Sequence, residues 1–139
     1  MTKITYEDLR KCNSLARSVR EKKEKLEWLD SLAAHCTATI ENSGRGTKVQ
    51  FDKIGEMVAE IDNNRWELVE AIEAYWDHIG IVRGAIARIP DETQQAIMRM
   101  RYLDGLTWRE ISSKTHYVDS WCRKQEAEGL CAMGITRGR

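Results

Sequence analysis

A chain of 139 residues makes one domain or two very small ones. One Pro and one Phe, set against many Glu, Lys, Arg, Leu and Ala, favour long helices over a sheet. The 22 basic and 22 acidic side chains cancel, which argues against a general nucleic-acid sponge but leaves room for a local basic face.

Thr5-Tyr6-Glu7-Asp8 is a helix-capping pattern, with a hydroxyl at the cap and a carboxylate three residues on. No Gly or Pro then intervenes before Gly44. Positions alternately three and four apart read Cys12, Leu15, Val19, Lys22, Leu26, Leu29, Ala33, Cys36 and Ile40, a heptad seam broken only by Lys22. The Gly-rich stretch from Asn42 to Thr47 predicts a loop over about residues 42–51, and either Asp52 or Thr47 with Gln50 can cap the next helix. A second seam reads Ile54, Val58, Ile61, Arg65, Leu68, Ile72, Tyr75, Ile79, Val82, Ile86 and Ile89, polar only at Arg65. Neither helix is stable alone, so the two predict an antiparallel coiled-coil hairpin over residues 1–89. If Ile40 meets Ile54 beside the loop, then Cys36 meets Val58, Leu26 meets Leu68 and Cys12 meets Val82, with Trp28 and Trp66 together on one flank. Polar residues in such a seam usually set register, with their stems lying along it. The three indoles Trp28, Trp66 and Trp76 are many for a thin hairpin, so some are expected to meet either the C-terminal unit or a second chain, a hint of a homodimer through the hairpin.

Charge divides unevenly along the hairpin. Residues 1–40 carry 8 basic and 6 acidic side chains, and residues 41–89 carry 6 and 9. The basic cluster Arg17, Arg20, Lys22, Lys23 and Lys25 reads first as a solvated face opposite the more acidic helix. Its second reading is a nucleic-acid backbone contact, interrupted by Glu21 and Glu24.

Ile89-Pro90-Asp91 marks a break, since Pro90 ends one helix and suits the start of the next. Asp91 with Gln94 caps a helix expected to reach about Leu103, with Ala96, Ile97, Met100 and Leu103 on its apolar face. Asp104-Gly105 ends it. Thr107-x-x-Glu110 is a capping box and opens a short helix to about Lys114, with Trp108 and Ile111 facing inward. Thr115 to Val118 form a turn. A last helix is expected from Asp119 to Leu130, with Trp121, Cys122 and Leu130 toward the core. Residues 131–139 read as a flexible tail. The pattern over 90–130 is a helix-turn-helix, a unit that usually reads DNA.

No catalytic or metal chemistry is signalled. The four Cys, at 12, 36, 122 and 131, lack C-x-x-C spacing, and Cys12, Cys36 and Cys122 read as buried thiols. His35, His78 and His116 lack ligand spacing. With no nucleophile motif, phosphate loop or paired carboxylates, the expectation is a non-enzyme without cofactor or metal. The absence of a signal peptide and of a membrane-length apolar run predicts an intracellular, reducing location without membrane contact.

Ile89-Pro90, then Arg101-Tyr102-Leu103-Asp104-Gly105-Leu106-Thr107-Trp108-x-Glu110-Ile111, then a Tyr-containing turn and a helix with Trp121 and Arg123, resembles region 4 of bacterial RNA polymerase sigma factors. It is also similar to phage and prophage regulators of the RinA and ArpU kind, which carry such a unit behind a helical hairpin. The resemblance is specific over 89–130 and covers 5–88 only as shape. It implies a regulator in the cytoplasm of a bacterial host that binds double-stranded promoter DNA, with RNA polymerase or another host protein as a further partner. The start of the last helix, Asp119, Ser120, Arg123 and Lys124, would meet base edges, and Thr107 and Arg109 would hold phosphate. Three positions depart from the family. Val118 stands where a capping Ser is usual, so Asp119 is expected to take over the cap. Glu126 and Glu128 stand where family members tend to be basic, leaving residues 118–130 with Arg123 and Lys124 against Asp119, Glu126 and Glu128, a net of −1. A second function therefore stays open: a protein-interaction module, such as an inhibitor of a host factor, built on the same scaffold.

Overall fold

The protein is all-α, with two long helices followed by a cluster of three shorter ones. The computed structural model describes residues 3–44 and 46–136. Helix α1 spans Tyr6–Ser43, α2 Lys48–Ile86, α3 Glu92–Met98, α4 Trp108–Thr115 and α5 Asp119–Ala132. The N-terminus of α1 is capped as its sequence dictates. The Thr5 amide donates to Asp8 at 2.8 Å, and the Asp8 amide donates back to the Thr5 hydroxyl at 3.3 Å. Of the two caps open to α2, Thr47 with Gln50 is the one used. The Thr47 amide donates to the Gln50 side-chain carbonyl at 2.9 Å, and the Gln50 amide to the Thr47 hydroxyl at 3.1 Å. The loop is accordingly shorter than the expected 42–51, and Gly44 supplies its left-handed residue with φ of +68°. Arg45 of that loop lies outside the described residues.

Two compact units divide the chain. One is Arg17–Ala74, and the other joins Met1–Ala16 to Tyr75–Arg139. The helix break at Ile89-Pro90 is present, but the second unit extends across it.

In the Arg17–Ala74 unit the long helices run in opposite directions. Lys22 pairs with Glu67 at 3.8 Å and Asp30 with Arg65 at 3.9 Å, so residue numbers rise on α1 as they fall on α2. Leu29 and Ile61 are buried between them. On α1 the seam is the expected one, with Lys22, Leu26, Leu29, Ala33, Cys36 and Ile40 all at least half-buried. On α2 the expected seam holds at Ile54, Ile61 and Leu68 in this unit and fails at three positions. The buried and half-buried positions are Ile54, Met57, Ile61, Asn64, Leu68 and Ala71, whereas Val58, Arg65 and Ile72 are exposed. The groove that Cys36 and Ile40 line is completed by Ile54 and Met57, not Val58. Asn64 accounts for the difference. Val58 and Ile72 offer an apolar path along the helix, while the inward position between Ile61 and Leu68 is held by a buried amide. Its Nδ2 donates to the Glu60 carbonyl at 2.7 Å, so its burial leaves that donor satisfied. A polar residue in an otherwise apolar seam comes at a cost in stability. Trp28 and Trp66 both stay exposed.

The second unit has a larger core. Leu9 and Cys12 from α1, Ile79, Val82 and Ile86 from α2, and Ile89 pack with Met98, Tyr102 and Leu130. His78 Nε2 lies 2.6 Å from the Asp8 carbonyl. A carbonyl only accepts, so that nitrogen carries the proton. Helix α3 buries two sides, with Met98 in this core and Ile97 in a smaller one with Ile111 and Cys122. The expected single apolar face on α3 omits Met98 and Tyr102. Met98 ends the regular α-helix, and a π-helical turn follows over Arg99–Leu103, in which the Asp104 amide reaches back to the Arg99 carbonyl at 3.0 Å. The extra residue per turn changes the phase and brings Tyr102 inward. Gly105, with φ of +69°, then ends the segment.

The flexible tail expected from 131 is not found over residues 131–135. Helix α5 continues through Ala132, the Gly134 and Ile135 amides close its end on the Cys131 and Leu130 carbonyls, and Ile135 is buried in the main core. Residues 137–139 lie outside the described residues.

Candidate nucleic-acid interface

Helices α4 and α5 meet through Ile111 and Cys122, with Trp108 and Trp121 packed around them. Thr107 caps α4. Its hydroxyl accepts from the Glu110 amide at 3.2 Å and donates to the Glu110 carboxylate at 3.0 Å. The capping box is complete, and it engages the hydroxyl expected to face phosphate. Arg109, one residue into α4, is exposed.

The turn between the helices is short. His116 takes the left-handed conformation at φ of 63° and closes α4 through its amide on the Ser112 carbonyl. The Ser112 hydroxyl donates to the Tyr117 carbonyl, and the Thr115 hydroxyl accepts from the Tyr117 amide. Tyr117 and Trp121 stack obliquely with ring centroids 4.3 Å apart.

Val118 is the N-cap of α5, and its side chain makes no capping bond. Asp119 does not take over the cap as expected. Its carboxylate instead accepts from Arg123 Nε at 2.5 Å, one turn along the helix. Helix α5 therefore starts with first-turn amides that no Val118 oxygen satisfies, at the positive end of its dipole. Arg123 also lies over the Trp108 ring at 5.6 Å, and Arg101 lies over that ring at 4.7 Å while donating to the Leu106 carbonyl. The indole thus holds two guanidinium groups close to the α4–α5 junction.

Each predicted contact residue on α5 has a clear position. Ser120, Arg123 and Lys124 are exposed, and Asp119 is half-buried beside Arg123. Glu126 is the main correction. It is only 1% exposed and accepts from the Tyr102 hydroxyl at 3.1 Å. Its carboxylate points into the core and is removed from the face that Arg123 and Lys124 occupy. Glu128 stays exposed, accepting from Gln94 Nε2 at 3.2 Å. With Glu126 set aside, Arg123 and Lys124 balance Asp119 and Glu128, and the outward part of residues 118–130 is neutral instead of −1.

The buried Tyr102–Glu126 pair is absent from the sequence reading, although a signal for it exists. Glu126 sits one turn after Cys122 and one before Gly129 and Leu130, on the inward stripe of α5. Burial first, and then the Glu126 carboxylate and Tyr6, hold the Tyr102 phenol well above its ordinary range. Tyr6 packs edge-on against that ring at 6.3 Å. Elsewhere in the core, burial pushes the Cys12 thiol up to about 11, with Asp8 adding to it and a backbone hydrogen bond opposing it.

Among the described residues no group of three or more His, Cys, Asp or Glu could hold a metal ion, and no helix is long and apolar enough to cross a membrane. Compared with known proteins, the chain matches no protein family, no curated protein and no solved structure.

Proposed function

We propose that this protein is a phage or prophage transcription regulator. In this reading α4 and α5 act as a sigma region-4-like helix-turn-helix, and α1 and α2 form an antiparallel coiled-coil hairpin. The observation that carries it is the outward face of α5, where Ser120, Arg123 and Lys124 are exposed and Glu126 is withdrawn into the core. With α5 in the major groove, Arg123 or Lys124 donates to guanine O6 and N7. Asp119 holds Arg123 in place and is itself an acceptor for a cytosine amine. Exposed Val118 suits a thymine methyl group. Arg109 and the open first-turn amides of α5 hold phosphate.

A set of sequences selected from a random DNA pool tests this, followed by anisotropy titrations at several salt concentrations. Binding is expected to weaken with salt, and Arg123→Ala with Lys124→Ala to cost roughly 10- to 100-fold in affinity. Unchanged binding by the double variant refutes the recognition-helix assignment.

One observation favours a second reading. Tyr117 and Val118 are both exposed at the start of α5, beside a face with no net charge. That composition also suits a protein partner, such as the polymerase or another host factor. No DNA binding at low salt, together with a host protein that binds the wild type and not Val118→Asp, favours this alternative.

A further inference from the structure

Helix α2 carries a second seam outside the one that faces α1. Gly55, Val58, Asp62, Arg65, Val69 and Ile72 follow one another at alternating spacings of three and four, the repeat of a helix that packs along another helix. All are exposed: Val58 49%, Val69 43% and Ile72 45%, with the Asp62 and Arg65 side chains both 60%. The stripe lies about a quarter turn around α2 from the α1-facing residues, at 100° per residue. Trp66 borders its centre beside Asp62, Arg65 and Val69.

The pattern is self-complementary. Laid antiparallel against a second copy, with the two-fold axis passing between the levels of Asn63 and Asn64, it sets Asp62 against Arg65, Val58 against Val69 and Gly55 against Ile72 of the partner. Each of these pairs an a position with a d position, as antiparallel coiled coils require. Sliding one helix by a heptad in either direction puts Asp62 against Val58 or Ile72, a carboxylate against an apolar side chain. A parallel pairing in register puts Asp62 on Asp62 and Arg65 on Arg65. Only one arrangement joins the opposite charges and the apolar groups at once. Gly55 supplies a second argument. A Cβ there would meet nothing within 4 Å, so nothing in its own chain requires glycine in mid-helix, where it costs about 1 kcal/mol against Ala. Facing Ile72 of a partner, it becomes the hole for that side chain.

We infer that a second copy of this chain docks on the Gly55–Ile72 stripe of α2, antiparallel, with reciprocal Asp62–Arg65 ion pairs at the centre. Among the described residues Arg65 pairs at long range, 3.7 Å to Asp62 and 3.9 Å to Asp30, which leaves it available to a partner carboxylate. The interface specifies the homodimer that the indole content suggested, and it stands apart from the DNA reading.

Sedimentation velocity on the full chain over a concentration series tests it, with circular dichroism to confirm helix content. Wild type is expected to dimerise. Asp62→Arg and Arg65→Asp each bring like charges together and are expected to weaken dimerisation at least about tenfold. The double variant restores opposite charges and is expected to recover most of the loss. A monomeric wild type, single variants that dimerise normally, or a double variant as weak as the singles overturns the pairing. DNA binding is measured separately by anisotropy: a monomer that binds DNA overturns this interface alone, and a dimer that binds none overturns the function alone.

Discussion

Replacing Tyr102 by Phe removes one oxygen from a buried carboxylate's surroundings and leaves the ring in place. The hydroxyl donates to Glu126 at 3.1 Å, and both side chains are buried. A hydrogen bond to a charged group contributes about 1.5–3 kcal/mol, and a buried acceptor stripped of a donor bears its desolvation alone. Glu126 keeps a further interaction, so the lower half of that range applies, about 1.5–2 kcal/mol. For a chain of this size that corresponds to a fall in Tm of roughly 3–8 °C. The edge-on packing against Tyr6 depends on the ring and should survive. Urea unfolding followed by circular dichroism at neutral pH measures the change, with an unaltered slope showing that the native state is still compact. A variant within about 0.3 kcal/mol of wild type would refute the reasoning, because additive single changes are resolved to about that limit. It would mean that the phenol does nothing to hold Glu126 in the core.

Stability should also fall on the alkaline side. Folded Cys12 and Tyr102 both hold their protons more tightly than the unfolded chain, so their contribution is whole below the ordinary values of 9.0 and 10.0 and is lost as pH rises above them. Cys12→Ala should flatten the part between pH 9 and about 11, and Tyr102→Phe the part beyond pH 10, both read from urea midpoints along a pH series. Gly129→Ala should destabilise by about 1–2 kcal/mol, because its new Cβ would stand 3.1 Å from Met98 Cγ in a full core. Gly80→Ala, with open space at the same point, should stabilise by about 0.5–1 kcal/mol, and thermal melts of the two distinguish packing from propensity.

Local chemistry is the legible part of the sequence. Thr5 with Asp8, Thr47 with Gln50, Asp91 with the amides of Thr93 and Gln94, and Thr107 with Glu110 all cap as their spacing dictates, since each bond closes within four residues. The inward set of Trp108, Ile111, Trp121 and Cys122 is legible for the same reason. Three things are not. A π-helical turn leaves no composition signal, so nothing marks Tyr102 as inward. The charge of Glu126 argues for the surface, although its position on the Cys122–Leu130 stripe places it inside. The Asp119 carboxylate has two options one turn apart, a free amide or a guanidinium, and the ion pair with Arg123 wins.

The three misplaced positions on α2 have a different origin. Val58, Arg65 and Ile72 are exposed and lie one residue beyond the stripe that is buried against α1. A helix that packs on a single neighbour needs one apolar stripe, and its outer positions can then be wholly polar. Here residues such as Met57, Ile61, Leu68 and Ala71 serve α1, while Val58, Val69 and Ile72 stay apolar and exposed beside them. Two overlaid repeats offset by one residue cannot be separated by counting apolar residues, because a path can step from one to the other and remain apolar throughout. Only the polar members tell them apart. Asn64 belongs to the inner stripe, where its buried amide is satisfied by the Glu60 carbonyl of its own helix. Asp62 and Arg65 belong to the outer, exposed stripe, as opposite charges three residues apart. The polar residues Asn64, Asp62 and Arg65 therefore carry the information that separates the two stripes of α2.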